Sequence, residues 1–282
     1  LAETINWYPG HMKKTRELIQ ENLKLVEAVI EVVDARIPVS SRNPIIDDLV
    51  AGKRRILVLN KSDLADPACT AAWIAYYKNR GDLALTVNSM TGAGIPELLR
   101  LLESIEAKNN AERVRKRALR LMIVGVPNVG KSSLINRLTA KKSAATGDRP
   151  GVTRGKQWLS VGNGMQLLDT PGILWPKFED PEVGMHLAFC GSVKDEIMDL
   201  EGLCLSLLGE LSASHPQMLV ERYKLEVLPE EALETMEEIA KRRGFILPGK
   251  KIDYERAART VLDEFRSGII GKITLEPRGE EE

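Results

Sequence analysis

The most specific chemistry in the chain lies in Gly125-Val-Pro-Asn-Val-Gly130-Lys131-Ser132, which fits G-x-x-x-x-G-K-[ST] between an expected strand and an expected helix. A loop of this kind turns its backbone N–H groups inward around phosphates, at a helix N-terminus that already favours anions. On that reading Asn128, Val129, Gly130, Lys131, Ser132 and Ser133 form a phosphate cradle. Lys131 reaches the β/γ-phosphates as a catalytic group, and the Ser132 hydroxyl ligates Mg²⁺.

Downstream stands Asp169-Thr-Pro-Gly172, directly after the apolar Leu167-Leu168. An Asp in this position holds Mg²⁺ through water, and the Gly172 N–H contacts a γ-phosphate. D-x-x-G alone is common, but one hairpin beyond a phosphate loop it becomes informative. Between the two motifs, Thr153 of Arg149-Pro-Gly-Val-Thr153 is the candidate switch hydroxyl, completing the metal shell and assisting catalysis.

Asn60-Lys61-Ser62-Asp63 follows the apolar run Ile56-Leu-Val-Leu59. A carboxylate accepts bidentately from the N1–H and N2–H₂ edge that guanine has and adenine lacks, which is the expected role of Asp63. Asn60 would tie loops together and contact the N7 side, while the Lys61 stem covers one face of the base. Asn88-Ser89-Met90 could offer a backbone N–H to guanine O6. Losing such a paired donor–acceptor set costs several kcal/mol, enough to reject an adenine nucleotide. The chain is thus expected to bind GTP and GDP and to hydrolyse GTP.

The elements that must position these loops alternate short β-branched runs with longer amphipathic stretches, the pattern of an α/β fold with a mostly parallel sheet. Strands are expected at Ala28–Asp34, Arg55–Asn60, Leu83–Val87, Leu119–Val124, Gln157–Val161 and Met165–Asp169. Helices are expected at Met12–Val26, Ala68–Asn79, Ile95–Lys116 and Lys131–Thr139. After Pro176 the pattern turns helical: Gly184–Leu211, Pro216–Tyr223, Pro229–Arg243 and Tyr254–Ser267, with a frayed Glu276-Pro-Arg-Gly-Glu-Glu-Glu end. The division is therefore a GTPase domain over 1–178, opened by an N-terminal helical segment 1–26, and an all-helical C-terminal domain over 179–282. The order of motifs is permuted, with base motifs at 60–63 and 88–90 preceding phosphate motifs at 125–132, 153 and 169–172. A parallel sheet tolerates this because domain termini tend to lie close together at the surface.

At 282 residues with balanced charge and 43% hydrophobic content, the chain reads as a globular protein. No apolar run approaches the roughly 18 residues of a membrane span, and the N-terminal residues show no secretory signal, so a cytoplasmic location is expected. Cys69, Cys190 and Cys204 lack metal-ligand spacing and read as buried reduced thiols. The charge is uneven: residues 1–178 hold 27 Lys and Arg against 17 Asp and Glu, which suits a polyanionic partner. The basic run Arg113-Val-Arg-Lys-Arg-Ala-Leu-Arg120 reads as a solvated helix end and linker.

Trp7-Tyr-Pro-Gly-His11-Met12, Asp34-Ala-Arg-Ile-Pro38, the phosphate loop, Asp169-Thr-Pro-Gly-Ile-Leu-Trp-Pro176 and the helical tail together closely resemble the ribosome biogenesis GTPase A (YlqF) family of circularly permuted GTPases. The resemblance runs over essentially the whole chain. It implies a factor acting in assembly of the large (50S) ribosomal subunit, with rRNA and ribosomal proteins as partners and GTP hydrolysis stimulated by the particle. The factor is expected to be monomeric off the ribosome. The alternatives are a GTP-dependent RNA-modifying enzyme and a non-catalytic GTP sensor.

Small signalling GTPases carry a water-orienting Gln where this chain has Ile173, which cannot hydrogen-bond to water. The resemblance offers His11 instead, positioning water or a proton; the same residue could bind RNA or cap local structure. Asn128 could hold K⁺ beside the phosphates in place of an arginine finger, or simply brace the loop. Trp7, Tyr8 and Trp158 could stack on RNA bases or anchor local structure. His186 and His215 show no partners in the sequence.

Overall fold

The computed structural model describes residues 17, 19–50, 52–139, 158–162, 164–168 and 180–278. They fall into two compact units, one reaching from the amino terminus to Gly184 and taking in the chain again from Thr274, the other spanning Met185–Ile273.

The first unit is built on a six-stranded sheet. Strands β1 (Ala28–Asp34), β2 (Arg54–Asn60), β3 (Leu83–Thr86) and β4 (Arg120–Val124) are joined by β5 (Trp158–Val161) and β6 (Met165–Leu168) in the order β3-β2-β1-β4-β6-β5. All pairings are parallel except the edge pair β5–β6. Every residue of β1 is buried, as its β-branched run requires of a strand covered on both faces. Helices α1 (Pro44–Leu49), α2 (Pro67–Asn79), α3 (Ile95–Ala111) and α4 (Lys131–Leu138) connect the strands. One apolar cluster gathers Ile19, Leu23, Val29, Ile46 and Met122; another gathers Val33, Leu57, Trp73, Tyr77 and Ala84.

Parallel pairing puts the carboxy ends of β1, β2, β3 and β4 on one rim, so the loops that follow them open into one crevice. The chain runs outward from β1 to β2 and β3, then crosses back to β4 on the other side of β1. Ligands bind in open α/β sheets at such a reversal. β6 lies beside β4, with Leu168 in register with Met122, and Asp169 follows at once.

The second unit contains α5 (Pro181–Phe189, whose first turn precedes the unit boundary), α6 (Leu200–Ser214), α7 (Pro216–Tyr223), α8 (Ala232–Arg243) and α9 (Tyr254–Arg266). Helix α9 buries Ala257, Ala258, Val261, Leu262 and Phe265, the spacing of one apolar face. Glu264 sits on that face, taken bidentately by Arg222 (2.9 and 2.5 Å) and also by Arg243 at 2.8 Å. Burial works against its charge, but these guanidiniums hold its carboxyl below the usual value.

Four local differences from the sequence reading have physical causes. The expected helix Gly184–Leu211 is two helices. Gly191 takes a left-handed φ of +74°, Arg266 donates to the terminal carbonyls of Ala188 and Phe189, and Asp199 caps a new start by accepting from the Gly202 N–H. A two-residue hairpin, β7 (Ile246–Leu247) with β8 (Lys251–Ile252), interrupts the helices, turned by Gly249 and Lys250 at positive φ. Helix α3 stops at Ala111 rather than Lys116. The Asn110 side chain there holds Arg117, accepting from its N–H and donating to its carbonyl.

The chain end is the fourth. Residues 276–278 are not frayed: the Glu276 carboxylate accepts from the N–H groups of Val39 and Ser40, and its carbonyl accepts from Trp73 Nε1 at 2.8 Å. Leu275 N donates to Arg36 O, and Thr274 Oγ1 accepts from Asp66 N. Among the described residues no helix is long and apolar enough to cross a membrane.

Candidate nucleotide site

The phosphate loop is shaped by backbone conformation. Gly125, Asn128 and Gly130 have φ of +153°, +59° and +92°. A Cβ on Gly130 would lie 2.2 Å from Asn60 Nδ2, and one on Gly125 would lie 2.4 Å from the Val32 carbonyl oxygen, so close approach as well as φ demands glycine at both. Asn128 occupies the left-handed region that asparagine tolerates best among side-chain-bearing residues, which accounts for its type whatever else it does. Val126 and Val129 are buried and pin the loop from beneath. Helix α4 begins at Lys131, so Ser132 and Ser133 lie in its first turn, half-buried. The Lys131 ammonium is buried and donates to the carbonyls of Gly125 (3.0 Å) and Val126 (2.8 Å).

Side chains build the base end. Asn60, 1% exposed, donates from Nδ2 to the Val129 carbonyl at 2.7 Å, while its Oδ1 accepts from Ser89 N at 3.1 Å and Ser89 Oγ at 2.7 Å. One amide thus staples the ends of β2, β3 and β4. Asn88 Oδ1 accepts from the N–H groups of Met90 and Thr91, shaping the 88–91 turn. Arg137, one α4 face away from the phosphate loop, donates to the carbonyls of Ser89 (2.9 Å) and Met90. Sequence reasoning passed over Arg137, because a cation in the last turn of a helix is ordinary and its partners at 89 and 90 are remote in the chain. Met90 is exposed, and Asp63 is exposed on the turn after β2.

Lys61 makes a contact that its expected role did not include. Its φ is +58°, and its ammonium lies 3.0 Å from Asp34 Oδ2. Asp34 is itself buried and held bidentately by Arg36, Nε to Oδ1 at 2.9 Å and Nη2 to Oδ2 at 2.8 Å. Burial alone would raise the Asp34 carboxyl; the guanidinium and ammonium beside it more than offset this and hold it well below the usual carboxylate range. Lys61 therefore braces the base turn against β1, with its stem alongside.

His11, Thr153, Asp169 and Gly172 lie outside the described residues, as do Ile173, Trp7 and Tyr8. Trp158 is partly exposed with the Arg120 guanidinium 5.4 Å from its ring centroid. His186 has a partner after all: it is buried with Nε2 3.1 Å from Glu210 Oε1, and His215 Nδ1 is 2.8 Å from Ser214 Oγ. No cluster of His, Cys, Asp or Glu that could hold a metal occurs among the described residues. A Mg²⁺ that draws most of its oxygens from phosphate and water needs only one or two protein ligands, and the Ser132 hydroxyl fits such a place. Cys69 is half-buried rather than buried, because it lies in the first turn of α2; Cys190 and Cys204 are buried, and burial pushes the Cys204 thiol up to about 12, leaving it unreactive.

Residues 120–236 match a family model described as a 50S ribosome-binding GTPase. The match begins at the first residue of β4, with the base turn at 60–63 upstream of it. The chain is 48% identical to the ribosome biogenesis GTPase A of Bacillus cereus, over 96% of this chain and 93% of that one. Among solved structures it is similar to GDP-bound TM YlqF, at 30% identity and TM-score 0.69, covering 94% of this chain and 100% of that one. It is similarly close to GNP-bound YlqF from T. maritima, at 29% identity and TM-score 0.68, covering 93% and 97%.

Proposed function

The chain belongs to the ribosome biogenesis GTPase A family, and from that premise we propose that it is a GTP-hydrolysing assembly factor for the large ribosomal subunit, cytoplasmic and monomeric away from the particle. The observation that carries the nucleotide chemistry is the Asn60 staple, which draws the base turn, the 88–91 turn and the phosphate loop into one crevice. In this reading Asp63 reads the N1–H and N2–H₂ edge of guanine, and the backbone at 88–90 meets O6. The N–H groups of 128–133 and the Lys131 ammonium hold the phosphates, with Lys131 leaving its loop carbonyls for phosphate oxygens.

Mg²⁺ supplies charge neutralisation on the phosphates, held by Ser132 and Thr153 directly and by Asp169 through water. Gly172 donates its N–H to the γ-phosphate. The buried thiols of Cys190 and Cys204 count against the RNA-modifying alternative, which needs a reactive nucleophile or a second cofactor site. The helical residues from 179 onward are the part proposed to engage rRNA, downstream of the loop that senses the γ-phosphate.

Because Ile173 cannot orient water, turnover of the free protein should be slow and large-subunit particles should raise kcat. Single-turnover GTP hydrolysis with and without particles separates this from a GTP sensor, which would show no hydrolysis in either case. With His11 as the water-positioning group, His11→Ala should lose tenfold or more of the stimulated rate, about 1.4 kcal/mol, while particle binding persists. If binding is lost and bound turnover is not, His11 is a docking residue. Rates in K⁺ against Na⁺ then test the proposed potassium ion at Asn128.

A further inference from the structure

The rim of the sheet opposite the nucleotide crevice carries a site of its own. At the amino ends of β2 and β3 a cleft of about 680 Å³ opens against α3. Six cations line it, Arg42, Lys53, Arg54, Arg55, Arg80 and Lys108, against only Asp47 and Asp82. Two of the cations are held from below by the buried Glu31 of β1, with Arg42 Nε 3.6 Å from one oxygen and Arg55 Nη1 3.5 Å from the other. Neither Glu31 oxygen has a hydrogen-bond partner among the described residues, although the side chain is 1% exposed. A lone carboxylate in the apolar interior costs several kcal/mol unless paired. Its role here is to fix guanidiniums at the cleft wall, helped by Asp47, which takes Arg42 at 2.7 Å and also Arg55.

Cation density continues along the same rim. Arg113, Arg115, Lys116 and Arg117 precede β4 as Arg54 opens β2, and Arg120 is the first residue of β4 itself. Arg54, Lys108, Arg115 and Lys116 are exposed and make no ion pair with any described residue. The belt crosses from β3 to β4, three strand spacings or about 14 Å. Among the described residues no aromatic ring lines the cleft, so none of them there stacks an unpaired base. A row of cations without a stacking platform matches phosphates displayed at fixed spacing, as along an RNA duplex, which proteins recognise by shape and backbone rather than by bases.

We infer that this rim, from Arg54 and Lys108 to Lys116, is a docking face for the phosphate backbone of double-stranded RNA. It holds the GTPase unit by the pole opposite its nucleotide and leaves the crevice open. The inference deepens the ribosomal reading and rests on it for the identity of the RNA.

The test compares the full chain with an Arg54→Gln/Lys108→Gln/Lys116→Gln variant, whose folding is checked by its thermal midpoint. The probes are a 20-base-pair RNA duplex, a single-stranded RNA of the same length, inorganic pyrophosphate and large-subunit particles. The variant should bind the duplex at least tenfold more weakly at 0.1 M salt, and its log–log salt slope should flatten by about two to three. Unchanged duplex affinity and slope overturn the inference, as does a loss confined to single-stranded RNA or to pyrophosphate. If wild-type protein binds the duplex in this variant-sensitive way but ignores particles, the ribosomal reading fails and the rim stands. If it binds particles and the variant binds duplex and particles equally well, the rim fails and the ribosomal reading stands.

Discussion

The two ends of the nucleotide crevice are built from different materials. The phosphate end is held by backbone: three residues at positive φ, a helix start, and a lysine folded onto its own loop's carbonyls. The base end is held by side chains, with Asn60, Arg137 and the Asp34–Arg36–Lys61 group joining distant parts of the chain and Asn88 shaping its own turn. The difference follows from the ligand. Phosphates are alike in every nucleotide, so a cradle of N–H groups suffices. Choosing one base requires donors and acceptors at fixed positions, and only a braced scaffold fixes them. Damage at the phosphate end should remove binding altogether, whereas damage at the base end should change which nucleotide is bound or weaken the brace.

The sharpest break is Lys131→Ala. It should weaken GTP and GDP alike by at least about a hundredfold, some 2.7 kcal/mol, with no change of preference between bases. Isothermal titration of the folded variant checks this, and wild-type affinity would end the phosphate-loop assignment.

Asp63→Asn should act in the other way, costing about thirtyfold in GTP affinity through loss of a charge-assisted pair. It should bring a comparable gain for xanthosine triphosphate, whose C2 carbonyl needs the donor that the amide supplies. Competition between the two nucleotides measures the exchange. A uniform loss for both would mean that Asp63 shapes the turn rather than reading the base.

Arg36→Ala should move nucleotide affinity least, by a fewfold, because it touches only the brace. Its effect belongs to stability: a buried carboxylate left with only Lys61 and the backbone N–H of residue 36 should cost about 3 kcal/mol at neutral pH. The pH dependence has a definite sign. Since Asp34 is held below its unfolded value, its contribution is present in full above about pH 4 and is lost as pH falls further. The gap between wild type and Arg36→Ala in denaturant midpoint should therefore narrow on acidification below about pH 4. A gap that stayed constant there would show that Arg36 acts through packing rather than through the carboxylate.

The sequence by itself determined the strands of the sheet, the phosphate loop and the base tetrapeptide, because each is a contiguous run whose physics is local. A β-branched run must be a buried strand, and a glycine-rich turn between strand and helix must present N–H groups. It also placed Asn60 among the loop-tying residues, although not which loops it ties. Tertiary structure alone decided the rest. Asp34 and Lys61 are 27 residues apart, and pairing brings them together only because β1 and β2 run parallel in register, with Asp34 opposite Asn60. The break after Phe189 depends on Arg266, supplied from α9. Glu276 was read as part of a frayed end because its partners, Val39, Ser40 and Trp73, lie more than two hundred residues away. Glu31 interrupts the apolar residues of β1 between Ile30 and Val32, and nothing local shows that Arg42 and Arg55 come to meet it. Periodicity and motif spacing report on neighbours in the chain, whereas a buried charge is settled by whatever the fold brings to it.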